Sequence, residues 1–156
     1  MASANPIPTG YHTVTPYLFV KGADGAIAFY REAFGARELF RMNGPGGTVT
    51  HAELQIGDSR IMLADEHPQV GALSPQSVGG SPVSIHLYVE DVDATVARAA
   101  SSGATITRPV ADQFYGDRSG VLRDPFGHLW SIATHREDVS EEEVRRRAEK
   151  LYAAGP

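Results

Sequence analysis

Ser84-Ile85-His86-Leu87-Tyr88-Val89, followed by Glu90-Asp91-Val92-Asp93-Ala94 and a helix-like run that closes at Gly103-Ala104, decides the fold, because an earlier stretch has the same plan. There Thr15-Pro16-Tyr17-Leu18-Phe19-Val20 precedes a run of helical spacing from Ala26 to Phe34 that closes at Gly35-Ala36. Val20 and Val89 stand 69 positions apart, and Gly35 and Gly103 stand 68 apart. A period of that length is a supersecondary unit written twice, and two such halves commonly enclose something between them.

Outward from the two copies, each reads as βαβββ. In the first, residues 13–20 alternate and are rich in β-branched and aromatic types, which predicts a strand. Apolar residues at helical spacing then run to Phe34, with Gly35 placed to close the helix in the left-handed conformation. Strands are expected over 37–42, 49–56 and 59–64, punctuated by Asn43-Gly44-Pro45-Gly46-Gly47 and Gly57-Asp58. The second copy predicts a strand over 83–89, a helix over 92–102, and strands near 105–107, 119–123 and 128–134. The modules occupy 11–66 and 82–137, joined by a Pro, Gly and Ser-rich link over 67–81. That link is longer than most loops inside a compact domain. Ser140 with Glu143 forms a capping box, so 138–156 carry a C-terminal helix. Asp124-Pro125-Phe126-Gly127 reads as a turn. The expected class is α+β, one domain of two tandem βαβββ modules over 11–137.

The composition of the 156 residues excludes several functions. A net charge of -5 leaves no basic stripe for a phosphate backbone, so neither nucleic acid nor an anionic membrane surface is an expected partner. The absence of cysteine removes disulfides, thiolate zinc sites and cysteine nucleophiles. Residues 1–10, with Pro6 and Pro8, read as a flexible arm rather than a signal peptide, and a cytoplasmic location is expected.

Alternation sorts the strand residues into two faces. Leu18, Val20, Ala52, Leu54, Ile56, Ile61, Leu63, Ile85, Leu87, Val89, Trp130 and Ile132 form an apolar set that belongs under the helices. Opposite them lie Thr15, Tyr17, Phe19, His51, Glu53, Gln55, Arg60, Met62, Ser84, His86, Tyr88, Leu129 and Ser131. That mixture of aromatic, polar and ionisable groups suits either the lining of a small-molecule cavity or a half-wet sheet face.

The run Ala26-Ile27-Ala28-Phe29-Tyr30-Arg31-Glu32-Ala33-Phe34-Gly35, with Glu90-Asp91-Val92-Asp93-Ala94 and Asp124-Pro125-Phe126-Gly127-His128-Leu129-Trp130, resembles the vicinal oxygen chelate superfamily: glyoxalase I, extradiol dioxygenases and bleomycin-resistance proteins. The nearest likeness is to its glyoxalase-like, PhnB-like bacterial branch. The resemblance implies paired modules whose sheets curl around a cavity, usually in a homodimer, and in metal-using relatives a divalent ion held from the first and last strands of each module. Carried onto this chain, those positions are Thr15, Met62, Ser84 and Ser131. Hydroxyl and thioether groups do not hold such an ion without imidazole or carboxylate help, so the usual metal site is expected to be missing.

The ligand-contacting candidates are Tyr17, Phe19, His51, Glu53, Arg60, His86 and Tyr88, with Tyr115 and Arg118 on a rim or lid. The candidate proton acceptors are His51, Glu53 and His86. These three could instead form a relocated two-imidazole, one-carboxylate site for a divalent metal, making the protein a lyase, isomerase or dioxygenase. Binding of a small organic molecule without a cofactor is the first expectation, and metal-dependent chemistry is its alternative.

Overall fold

A computed structural model describes residues 4–155. The first copy supplies strand β1 (Tyr17–Val20), helix α1 (Ala23–Phe34) and strands β2 (Arg37–Asn43), β3 (Val49–Ile56) and β4 (Ser59–Asp65). A 3-10 turn (Pro68–Val70) and the short helix α2 (Pro75–Val78) occupy the connection. The second copy supplies β5 (Ser84–Tyr88), α3 (Val92–Ser101), β6 (Thr105–Asp112), β7 (Asp117–Arg123) and β8 (Leu129–His135), and α4 (Glu141–Ala153) follows.

Each copy makes its own four-stranded sheet, in the orders β1-β4-β3-β2 and β5-β8-β7-β6. The first strand of each copy runs parallel to the last strand, and the remaining pairs are antiparallel. The repeat extends to the register, since Tyr17 stands opposite Met62 and His86 opposite Ser131. It extends to the helix starts as well. Asp65 Oδ1 accepts from the N–H groups of Gly22 (2.9 Å) and Ala23 (2.8 Å), while Oδ2 accepts from Val49 N–H at 2.7 Å. At the equivalent place in the second copy Thr134 Oγ1 accepts from Val92 N–H at 2.9 Å and donates to Val89 O. In both copies the end of the last strand therefore satisfies an otherwise orphaned N–H at the start of the helix.

Both sheets turn their helix-side residues into one contiguous core, which α1 and α3 share. Trp130 of β8 is 1% exposed and lies against α1, with ring centroids 4.7 Å from Phe34 and 5.3 Å from Tyr30. Asp124, 3% exposed, is the polar centre of this seam. Its Oδ2 accepts from Tyr30 Oη–H (2.6 Å) and Trp130 Nε1–H (2.9 Å), and its Oδ1 from the N–H groups of Phe126 (2.9 Å) and His128 (3.0 Å). Burial, and then the Asp124 charge, hold the Tyr30 hydroxyl well above its ordinary range, so it donates. The turn 124–127 is thus both a turn and the bridge between modules. Gly127 closes it at φ 92, pressed so near Pro75 that a Cβ there would sit 2.7 Å away.

Several boundaries differ from the sequence reading. β1 begins at Tyr17, because Pro16 brings no N–H to a ladder. α1 begins three residues before Ala26, since its cap comes from distant Asp65. β6 continues through Pro109 to Asp112 because it is an edge strand, where a missing donor is tolerated. The serine half of the capping box forms, with Glu143 N–H donating to Ser140 Oγ at 3.3 Å, while the Glu143 carboxylate turns instead to Arg146 and Arg147. No helix among the described residues is long and apolar enough to cross a membrane.

Candidate functional site

With the helix-side residues in the core, the mixed set occupies the other face of each sheet. On the first sheet Tyr17 Oη–H donates to His51 Nδ1 at 2.8 Å, and His51 Nε2 lies 3.3 Å from Glu53 Oε1. A carboxylate only accepts, so Nε2 carries the proton and Nδ1 is left to accept from tyrosine. Both imidazole nitrogens are then occupied, and the Tyr17 oxygen, having donated its proton, keeps its acceptor capacity. Burial raises the Tyr17 pKa, which keeps it a neutral donor to His51. Phe19 packs on Tyr17 with centroids 5.0 Å apart, and Phe40 of β2 approaches His51 at 6.3 Å. Tyr17 and Phe19, with Val49, Ala64, Val70 and Ala72, line a hollow of ≈ 590 Å³ partly walled by the connection 66–72.

Glu66 fastens that connection: it accepts from Ser74 N–H at 2.8 Å and from Ser77 Oγ–H, and these donors hold its carboxyl down at about 2. Toward the other end of the face, the Tyr11 hydroxyl, then His51 and Arg60, hold the Glu53 carboxyl below the usual range against the opposing effect of burial. Tyr11 Oη is itself buried and makes no hydrogen bond of good geometry. The Tyr11 ring lies 4.7 Å from the Arg60 guanidinium carbon.

On the second sheet His86 Nδ1 lies 3.0 Å from Ser131 Oγ, and its ring meets Tyr88 edge-on at 4.7 Å. Tyr88 Oη–H donates to Asp117 Oδ2 at 2.9 Å, which raises the phenol pKa. Asp117 is 6% exposed and holds His135 Nδ1 at 2.7 Å, while His135 Nε2 meets Asp138 at 2.8 Å. Flanked by two carboxylates, first Asp117 and then Asp138, the imidazole has a raised pKa. His86, Tyr88 and His135 line a cleft of ≈ 1230 Å³ between the modules, whose other wall includes Thr15, Pro16, Ile61 and Arg60.

The expected lining residues therefore divide between two hollows. Tyr17 and Phe19 belong to the first, with His51 and Glu53 hydrogen-bonded beside it; Arg60, His86 and Tyr88 belong to the second. Arg118 joins neither: its fork donates to Asp93 Oδ2 (2.7 Å) and Oδ1 (2.8 Å) and to Asp112 (3.2 Å). Tyr115 sits in the β6–β7 turn against Phe114 and also lines neither hollow. The four positions that the resemblance assigned to a divalent ion carry hydroxyls and a thioether. Thr15 donates to His12 O, Met62 stands opposite Tyr17, Ser84 opposite Leu129, and Ser131 is beside His86. His86 is not brought to the His51–Glu53 pair, and among the described residues no three His, Asp or Glu side chains gather as a metal site would require. Tyr11, Phe40 and Val70 escaped the sequence reading. The period-2 rule applied to β2 would have found Phe40, whose register partner is Glu53; only the tertiary course of the chain brings Tyr11 and Val70 to the site.

The model of the glyoxalase/bleomycin resistance protein/dioxygenase superfamily matches residues 10–132. The Mycobacterium bovis protein Mb0911c is 45% identical over 135 residues, which span 85% of this chain and 89% of that protein. TioX from Micromonospora sp. ML1 superposes with a TM-score of 0.63 at 28% identity, over 80% of this chain and 98% of TioX. The fosfomycin resistance protein FosX from Listeria monocytogenes, crystallised with Mn(II) and 1S,2S-dihydroxypropylphosphonic acid, superposes with a TM-score of 0.62 at 20% identity, over 86% and 96% of the two chains. At that identity the likeness to FosX concerns the fold.

Proposed function

Since the chain belongs to the glyoxalase/bleomycin resistance protein/dioxygenase superfamily, we propose that it binds a small organic molecule against the open faces of its paired modules, without a metal at the superfamily's usual positions. The observation that carries this reading is the hollow of ≈ 590 Å³ beside the Tyr17–His51–Glu53 chain. Its volume is that of a small-molecule pocket, its floor is aromatic and aliphatic, and its two carboxylates, Asp65 and Glu66, are already engaged by backbone N–H groups, an arrangement suited to selecting a ligand by shape and a few hydrogen bonds. Tyr17 offers the ligand an acceptor, and His51 and Glu53 fix the direction in which that acceptor points. Support for the metal-free part comes from the donors themselves, since Thr15, Met62, Ser84 and Ser131 carry hydroxyls and a thioether. No observation favours the relocated metal site, which would need His86 beside His51 and Glu53.

We propose further that the chain works as a homodimer. Tyr17, Phe40, Met42 and Tyr88 leave much of their apolar area exposed on the open faces, Tyr88 at 62%, and covering such area is what a partner subunit does.

A thermal-shift screen of small organic compounds on EDTA-treated protein tests the binding reading. Compounds should raise the midpoint without added metal, and Tyr17→Ala and His51→Ala should each weaken their binding by roughly tenfold, the scale of one lost hydrogen bond and its packing. Stabilisation that appears only with Mn(II) or Zn(II) would sink it.

A further inference from the structure

We infer that the cleft between the modules takes a small molecule bearing a carboxylate or a similar oxyanion, and that Arg60 is the residue that recognises it. The inference goes beyond the binding reading above, which the hollow beside Tyr17 carries, and concerns the other hollow.

Four arginines are half-buried, and three of them are spent on carboxylates of their own chain. Arg41 Nε meets Glu38 at 3.0 Å, Arg118 Nε meets Asp93 at 2.7 Å, and Arg147 Nε meets Glu143 at 2.8 Å. Arg60, the fourth, has its Nε buried with no hydrogen-bond partner among the described residues. A guanidinium cannot shed its charge to escape that environment, and the Tyr11 hydroxyl beside it, its pKa raised chiefly by burial even as the guanidinium draws it down, brings no negative charge to meet it.

Among the described residues no carboxylate forms an ion pair with Arg60, although Glu53 feels its charge and Asp58, Glu90 and Asp91 share the cleft lining. Glu53 is engaged by His51 and held low by the Tyr11 hydroxyl, and it forms no ion pair with Arg60. On the cleft wall, Asp58 accepts from Ser59 Oγ–H at 3.0 Å and Asp91 caps α3 through Ala94 N–H at 3.0 Å. The cleft's second arginine, Arg98, reaches Ala33 O and Thr95 Oγ1.

Arg60 is also held in place rather than loose. The Tyr11 ring covers one side of the guanidinium at 4.7 Å. Gly10, at φ 86, lies so close that a Cβ there would sit 2.3 Å from Nη2. A planar fork fixed in this way suits a carboxylate's two oxygens better than a flexible ammonium would. Across the cleft runs the edge strand β5, with Ile85 and Leu87 on its core side and the aromatic rings of His86 and Tyr88 on the other, for the rest of the molecule to lie along.

Benzoate and benzamide, which share a shape and differ in charge, test this by NMR titration of the full chain, following the amide signals and the Arg60 Nε–Hε signal. Benzoate should bind roughly tenfold more tightly than benzamide and move the Arg60 signal, and in Arg60→Gln the two affinities should converge. Should Arg60→Gln lose its dispersed spectrum, the Arg60 signal of the parent protein decides alone. A benzoate preference that survives in Arg60→Gln, or benzoate saturation that leaves the Arg60 signal still, overturns the inference while leaving the binding reading intact. Saturation by neither probe overturns the inference as well, while the binding reading, carried by the other hollow, stands or falls on the thermal-shift screen.

Discussion

Asp124 accepts four hydrogen bonds from side chains and backbone of both modules, so its carboxylate is a structural centre although it lies in a segment that reads as a turn. Asp124→Asn tests the weight of the charge. An amide offers one acceptor oxygen, which can still serve the Phe126 and His128 N–H groups, but its NH₂ then faces the Trp130 indole, which can only donate. The expected cost is about 2–3 kcal/mol, the scale of a charge-assisted hydrogen bond lost with a buried donor left over. A urea titration should find a lower midpoint at unchanged slope, and an unchanged midpoint would remove Asp124 from the centre of the seam. Trp130 was legible as a core residue from alternation alone. Asp124 was not, because the donors it serves include Tyr30, 94 positions away.

At the scale of elements, the last strand of each copy finishes by capping that copy's helix, through Asp65 in the first and Thr134 in the second. Capping across such a separation is invisible to rules that look a few residues upstream, and it explains why α1 starts before its sequence signal. The segment after β8 is fastened differently, by His135 between Asp117 and Asp138. Both carboxylates raise the imidazole pKa above the ordinary 6.5. A raised folded-state value stabilises fully below the unfolded value and is lost as pH rises through the folded one. The thermal midpoint of the parent should therefore exceed that of His135→Gln most below about pH 6.5, and the gap should close at alkaline pH. A gap that widens with rising pH would show that the neutral form makes the contact. His135 is exposed, so the effect should be modest and should shrink in high salt.

For the whole molecule, the shared core places both helices and the inner faces of both sheets together and leaves two mixed faces outward, the arrangement from which the homodimer proposal comes. Light scattering of the purified chain should give twice the 16.8 kDa of one copy, and Phe40→Lys with Met42→Lys should shift the mass toward one copy. A single-chain mass at every concentration would end that proposal.

The repeat, the βαβββ order, the apolar faces and the serine cap of the C-terminal helix were all readable in the sequence, because each depends on spacing within a few residues or on one long internal period. That Thr15, Met62, Ser84 and Ser131 carry hydroxyls and a thioether was readable too, since it needs only the identity of the side chain. Tertiary structure alone decided that the candidate residues separate into two hollows, that Arg118 is consumed by Asp93, that Asp124 joins the modules, and that the Arg60 Nε finds no hydrogen-bond partner among the described residues. Each of those outcomes turns on distances between groups far apart in the chain. Local periodicity says which side of a strand a residue occupies, but it carries no information about what the opposite wall supplies.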